Sequence, residues 1–151
     1  GRSPEIGKKL FTEATCASCH QVGGQGGVVG PPLDSVLTKW KGDARDLLRE
    51  ILHPSDRIDD RYAMHLVLTV DGQTVTGILV KETDDAVHLI SNAQSEKPTV
   101  IPQDDIEEMV RTKVSMMPKA LLDQYTKDEI LELLAYVAAV GDNPIPSSDA
   151  R

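Results

Sequence analysis

The stretch TCASCHQ, residues 15–21, holds both cysteines of a 151-residue chain, two residues apart and followed directly by a histidine. A run Cys16-Ala17-Ser18-Cys19-His20 has three chemical readings: a redox dithiol, half of a zinc site, or the attachment point of a covalently bound haem. Each implies a different fold, so the surroundings decide. A redox dithiol opens a helix after a strand, inside a strand–helix–strand unit. Here a helical pattern precedes the pair and a glycine-rich run, GGQGG at 23–27, follows it. A structural zinc site draws four Cys or His ligands, usually as two paired clusters. The other histidines, His53, His65 and His88, are single and scattered. Covalent haem explains the spacing best. Two intervening residues set the sulfurs at the separation of the porphyrin vinyl groups, and the adjacent histidine reaches iron.

Composition agrees with that reading. Phe11, Trp40, Tyr62, Tyr125 and Tyr136 are the only large aromatic side chains, 3 % of the chain, so a haem would supply bulk that the sequence lacks. A net charge of −8 speaks against nucleic-acid backbones and anionic lipid, which need clustered Lys and Arg. No apolar run approaches the roughly 18 residues of a membrane span.

Patterning divides the chain into helical, β and helical parts. Residues 4–14 read as a helix opened by Ser3 and Pro4, with Ile6, Leu10 and Phe11 on one face. GGQGG reads as a flexible loop, followed by Gly30-Pro31-Pro32-Leu33. Asp43 is placed to cap a helix over 44–53, with Leu47, Leu48, Ile51 and Leu52 as its apolar stripe and Pro54 as its stop. From 62 to 70 the period becomes two, with Tyr62, Met64, Leu66, Leu68 and Val70 on the inner side. Asp71-Gly72 marks a two-residue hairpin turn. Further strands are expected at QTVTGILV, AVHLI, PTVI and 107–111, giving a five-strand antiparallel meander curled into a small barrel. Thr126 and Glu129 form a capping box for a last helix with Ile130, Leu133, Leu134 and Val137 inward and Gly141 as its stop. The expected domains are therefore 1–61 with 112–141, an inserted β part over 62–111, and a disordered tail or linker over 142–151.

The segment Gly7-x3-Phe11-x4-Cys16-x2-Cys19-His20, the turn Gly30-Pro31-Pro32-Leu33, a Met-Pro pair and a helix containing Tyr136 together resemble a class I cytochrome c. The resemblance implies a mainly α cytochrome c fold carrying the β insertion, an α+β whole. It implies one haem c, held by Cys16 and Cys19 and ligated by His20, and the Pro31 carbonyl accepting the imidazole N–H. It also implies Gly7 and Phe11 packed against Tyr136. The gap between Phe11 and Cys16 is one residue longer than usual in that family, which puts the exact setting of the first helix in question. LLREILHPSDRIDDRY, IPQDDIEEM and SMMPKALLDQYTKDEILELLAYV narrow the likeness. With the strand sequences they are similar to a haem-binding domain family of planctomycetes and verrucomicrobia, over about residues 4–140. That family's domains commonly sit at the C-terminus of exported proteins, often behind a propeller resembling quinone-dependent sugar dehydrogenases.

For the second axial position the resemblance points to Met117, after the insertion and before the last helix, with Pro118 stiffening its loop. Adjacent methionines face opposite ways in an extended loop, so Met116 stands second, its blander role a lid on the haem edge. Met64 and Met109 are expected in strands, Met64 in the barrel core. His65 and His88 are out of phase with the apolar residues and expected at solvated positions. His53 ends a helix, where an imidazole helps satisfy free carbonyls. Trp40 is a candidate donor to a haem propionate, and Arg57 and Arg61 either neutralise propionates or pair with Asp56, Asp59 and Asp60.

A six-coordinate His/Met iron leaves no position for substrate, so the expected role is one-electron transfer and not catalysis. Two other readings stay open: a gas- or peroxide-reactive sensor whose sixth ligand leaves, and a partner-docking module built on the barrel. The expected partner is a redox protein, either a donor or an acceptor, including a fused or associated dehydrogenase. The acidic runs at 84–85 and 104–108 read as turn and surface residues, with the steering of a basic partner as the alternative. The expected assembly is a monomer or a weak dimer through an open sheet edge. Thioether attachment in bacteria follows export, which points to a periplasmic or equivalent compartment.

Overall fold

The computed structural model describes residues 1–34, 36, 43–95 and 97–142. The chain divides into two compact units, Gly1–His53 with Lys119–Arg151, and Pro54–Pro118.

Among the described residues, three helices of nine or more residues build the first unit. Helix α1, Pro4–Glu13, starts where Ser3 Oγ accepts from the Ile6 N–H at 3.4 Å, with proline in the first turn. Its buried face is Gly7, Leu10 and Phe11, whereas Ile6, expected on that face, is 49 % exposed. The reason lies across the helix pair. A Cβ on Gly7 would stand 2.4 Å from Tyr136 Cβ and 2.5 Å from the Glu132 carbonyl oxygen, so the closest approach belongs to the smallest residue. Helix α2, Ala44–Leu52, is capped by the Asp43 carboxylate, which accepts from the Arg45 N–H at 2.9 Å. Its stripe is narrower than the periodicity suggests, with Leu47 buried and Leu52 43 % exposed.

Helix α3, Lys127–Asp142, is preceded by the capping box. The Thr126 N–H donates to Glu129 Oε2 at 2.7 Å, and the Glu129 N–H donates to Thr126 Oγ1 at 3.3 Å. Leu133, Leu134, Val137 and Val140 enter a core shared with Leu10, Phe11, Leu47 and Leu122. The Phe11 and Tyr136 rings meet at 5.7 Å between centroids, tilted by 58°, and the Ser3 N–H donates to the Glu132 carboxylate at 2.7 Å. Gly141, expected to stop the helix, is passed by one residue. The tail expected over 142–151 falls, beyond Asp142, outside the described residues.

GGQGG is a hairpin and not a flexible loop. Strands β1, Gln21–Val22, and β2, Gln25–Gly26, pair antiparallel through Gly23 and Gly24, whose φ values of 59° and 74° are those of a turn that glycine alone enters freely. The Asp34 carboxylate accepts from the Gly23 N–H at 2.8 Å.

The second unit carries a five-stranded antiparallel sheet: β3 Met64–Thr69, β4 Thr74–Glu82, β5 Ala86–Ile90, β6 Thr99–Pro102 and β7 Ile106–Arg111. Its order is β6-β5-β4-β3-β7, so a plain meander is corrected: the last strand pairs with the first. The cause is local. Pro102 brings no N–H and the chain continues in a single 3-10 turn, Gln103–Asp105, in place of a reversing hairpin. The curl follows from chain length. Four inter-strand steps would separate β6 from β7 by about 19 Å in a flat sheet, but Pro102 and Ile106 are joined by a stretch reaching ~14 Å at most. The sheet must bend for its ends to approach.

The expected two-residue turn at Asp71-Gly72 is a four-residue loop. Thr69 Oγ1 accepts from the Gln73 N–H at 3.0 Å, and the Val70 N–H donates away from the hairpin, to the Asp105 carbonyl at 2.9 Å. Strand β3 also turns its other face inward. Ala63, Val67 and Thr69 are buried, while Met64, Leu66 and Leu68, expected inside, are half-buried on the opposite side. Apolar residues occupy both phases of this strand, and a tightly curled interior filled by Val67, Val87, Leu89 and Ile101 takes the smaller set.

The segments 54–61 and 112–118, which a division at 62 and 111 assigns to the helices, group with the sheet. Among the described residues, no helix is long and apolar enough to cross a membrane. With a five-stranded sheet and the helices described above, the architecture is α+β.

Candidate functional site

Helix α1 ends where the Ala14 N–H reaches the Leu10 carbonyl at 2.8 Å. Thr15 then adopts φ 62°, a left-handed conformation unusual for a β-branched residue, and a 3-10 turn, Cys16–Ser18, begins. The four-residue gap after Phe11 is thus taken up in a tight reversal. The Cys19 and His20 N–H groups both donate to the Cys16 carbonyl, at 3.2 and 2.9 Å, which folds the two cysteines and the histidine into one compact turn. The β1–β2 hairpin and the segment behind it close over this turn. Gly27 N–H donates to the Ala17 carbonyl at 2.9 Å and Gly30 N–H to the Cys19 carbonyl at 2.8 Å.

The imidazole of His20 is oriented by one bond: Nδ1 lies 2.7 Å from the Pro31 carbonyl oxygen. A carbonyl only accepts, so Nδ1 carries the hydrogen and Nε2 keeps its lone pair free. Burial pushes the imidazole pKa below its ordinary value, and the Pro31 bond opposes that shift only partly. Gly30 makes the geometry possible. A Cβ there would stand 2.8 Å from Cε1 and 2.9 Å from Nδ1 of the ring. The sequence places Gly30 in the Gly-Pro turn but gives the contact with His20 to Pro31 alone.

Cys16 and Cys19 are free thiols. Burial pushes Cys16 up to about 11 and raises Cys19 as well. A redox dithiol needs the reverse, a thiolate stabilised near neutral pH. Among the described residues, no three His, Cys, Asp or Glu side chains converge as a metal-holding cluster. The donor set fits a covalent haem: two protonated thiols within one turn, and an oriented neutral imidazole whose second nitrogen is free to ligate.

The other candidates are distributed as follows. Met116 and Met117 are half-buried in the second unit, in the segment after β7, where the Met117 N–H donates to Ser115 Oγ at 3.1 Å. Met109 packs against the sheet core. His65 is a correction: it shares the inward phase of Val67, and its Nδ1 is buried without a hydrogen-bond partner. His88 is half-buried on β5, and His53 is exposed at the end of α2. Arg61 grips Asp59 through two hydrogen bonds, at 3.0 and 3.1 Å. Trp40 lies outside the described residues.

A family model described as Cytochrome c matches residues 4–94. The span opens at the first residue of α1, includes Cys16, Cys19, His20 and Pro31, and ends before Met116 and Met117. A search of curated proteins gave no match.

Proposed function

The chain belongs to the cytochrome c family, and from that premise we propose that it carries one electron at a time through a single haem, bound by Cys16 and Cys19 and ligated by His20 and Met117. The observation that carries the reading is the 2.7 Å bond from His20 Nδ1–H to the Pro31 carbonyl, which leaves Nε2 free to ligate in the same turn as two free thiols. Haem iron supplies the reversible one-electron couple.

The residues of the chain set how that couple behaves. Cys16 and Cys19 act as anchors, their raised pKa values keeping them from competing as thiolates. Pro31 and Gly30 hold the His20 ring in one orientation. Met117 offers a thioether, a soft ligand that favours ferrous iron and raises the potential relative to a second histidine. Its assignment over Met116 rests on its place before Pro118 and the last helix. The finer likeness, to the haem-binding domains of planctomycetes and verrucomicrobia, supports an exported compartment and a dehydrogenase as the electron donor.

Spectra of oxidised and reduced holo-protein test the ligation. Wild type should show the far-red ferric band of iron-bound methionine sulfur and slow carbon monoxide uptake; Met117→Ala should lose the band and bind carbon monoxide readily. An unchanged spectrum in that variant would move the ligand to Met116 or a histidine. Loss of covalent haem in Cys16→Ala with Cys19→Ala is the expected result for the anchors.

A further inference from the structure

We propose that Ser55 and Ser115 are positioning residues for Met117, and that the β unit's contribution is to hold the segment carrying that methionine. The proposal rests on the reading of Met117 as an iron ligand. Residues 112–118, TKVSMMP, follow β7 and form no strand or helix. Left untied, such a segment would keep backbone entropy that ligation must then remove residue by residue.

In the structure its backbone is tied almost residue by residue. The Thr112 N–H donates to the Met64 carbonyl at 2.9 Å, extending the β3–β7 pairing past Arg111. The Thr112 hydroxyl donates to the Val114 carbonyl at 3.2 Å. The Ser115 N–H then reaches Ser55 Oγ at 3.0 Å, a bond spanning sixty residues of sequence, and the Met117 N–H returns to Ser115 Oγ at 3.1 Å. The partner loop is itself held: the Arg111 guanidinium donates to the Ile58 carbonyl at 3.1 Å and pairs with Asp60, and Asp59 caps the Arg61 N–H.

The two serines therefore form a short relay from the loop after α2 to the backbone of Met117. Met116 and Met117 lie in a bend, where the setting of each peptide decides which way its side chain is carried. A hydrogen bond on the Met117 N–H fixes the rotation of that peptide, and so which of the two thioethers is presented. The two hydroxyls hold that choice on a segment that is itself neither helix nor strand.

The test uses holo-protein of wild type, Ser55→Ala, Ser55→Thr, Ser115→Ala and Met117→Ala, each checked for an intact fold by circular dichroism. The far-red ferric band is followed against pH, with the ferrous carbon monoxide on-rate and the midpoint potential. Removing either hydroxyl should raise the fraction of iron without its sulfur ligand roughly tenfold, the worth of one such hydrogen bond. The band should then be lost at lower pH, carbon monoxide should bind about tenfold faster, and the potential should fall. Ser55→Thr, which keeps the hydroxyl, should behave as wild type. If Met117→Ala abolishes the band while both alanine variants keep wild-type band, on-rate and potential, the positioning role is overturned and the ligation stands. If Met117→Ala changes nothing, the ligation reading fails and the proposal with it. Should Ser55→Ala not fold, Ser115→Ala decides alone, since it removes the acceptor of the Met117 N–H directly.

Discussion

At Gly30 the fold leaves a hydrogen where a methyl would stand 2.8–2.9 Å from the His20 ring, and at Pro31 it places an acceptor 2.7 Å from Nδ1. Gly30→Ala should therefore displace the imidazole, lengthen the Pro31 bond and reduce covalent haem yield. The check is haem absorbance per protein after matched expression. A wild-type yield with an unchanged spectrum would show that the ring has room to shift. Cys16, Cys19 and His20 were legible as a haem motif from local order, whereas the Pro31 acceptor was expected from the likeness to cytochromes; all lie within sixteen consecutive residues joined by short-range hydrogen bonds. Gly30 was not read as part of the site, since its importance is the space beside a ring ten residues away.

The α1–α3 pair depends on a contact with no slack. Gly7→Ala would place a methyl 2.4 Å from Tyr136 Cβ and 2.5 Å from a backbone oxygen of Glu132. Overpacking of this kind costs about 1–3 kcal/mol, so the melting temperature should drop clearly while the helical signal below it persists. Glu129 supplies a second test at this scale. Its bonds to the Thr126 N–H and hydroxyl hold its carboxyl below the ordinary value of 4.5. A depressed carboxylate gives stability that is complete above that ordinary value and lost as pH falls through it toward the lower folded-state value. The melting-temperature gap between wild type and Glu129→Gln should accordingly shrink from neutral to acid pH; a constant gap would mean that charge plays no part in the cap. Helix starts such as Ser3, Asp43 and Thr126 were legible because a cap involves residues within four of each other. The inward face of β3 was not. Met64, Leu66 and Leu68 alternate as cleanly as Val67 and Thr69, and only partners on β4, β5 and β7 choose between the two sets.

Over the whole molecule, a net charge of −8 sets the approach of redox partners. Reduction of the holo-protein by a cationic reagent should slow as salt is added and reduction by an anionic one should quicken, the two rates converging once the Debye length falls to about 3 Å near 1 M. Stopped-flow rates against ionic strength measure this directly; equal salt dependence for both reagents would deny the acidic surface any steering role. Residue types at short, fixed spacings were enough for the helix starts, the positions of the five strands and the likeness to cytochrome c. Tertiary structure decided what short spacings cannot. It returned β7 to β3, turned Val67 and His65 inward, closed GGQGG into a hairpin under Asp34, and tied Ser115 to Ser55. Each of these is a contact with no counterpart in the local pattern, chosen by chain length, available volume and the need of every buried N–H for an acceptor.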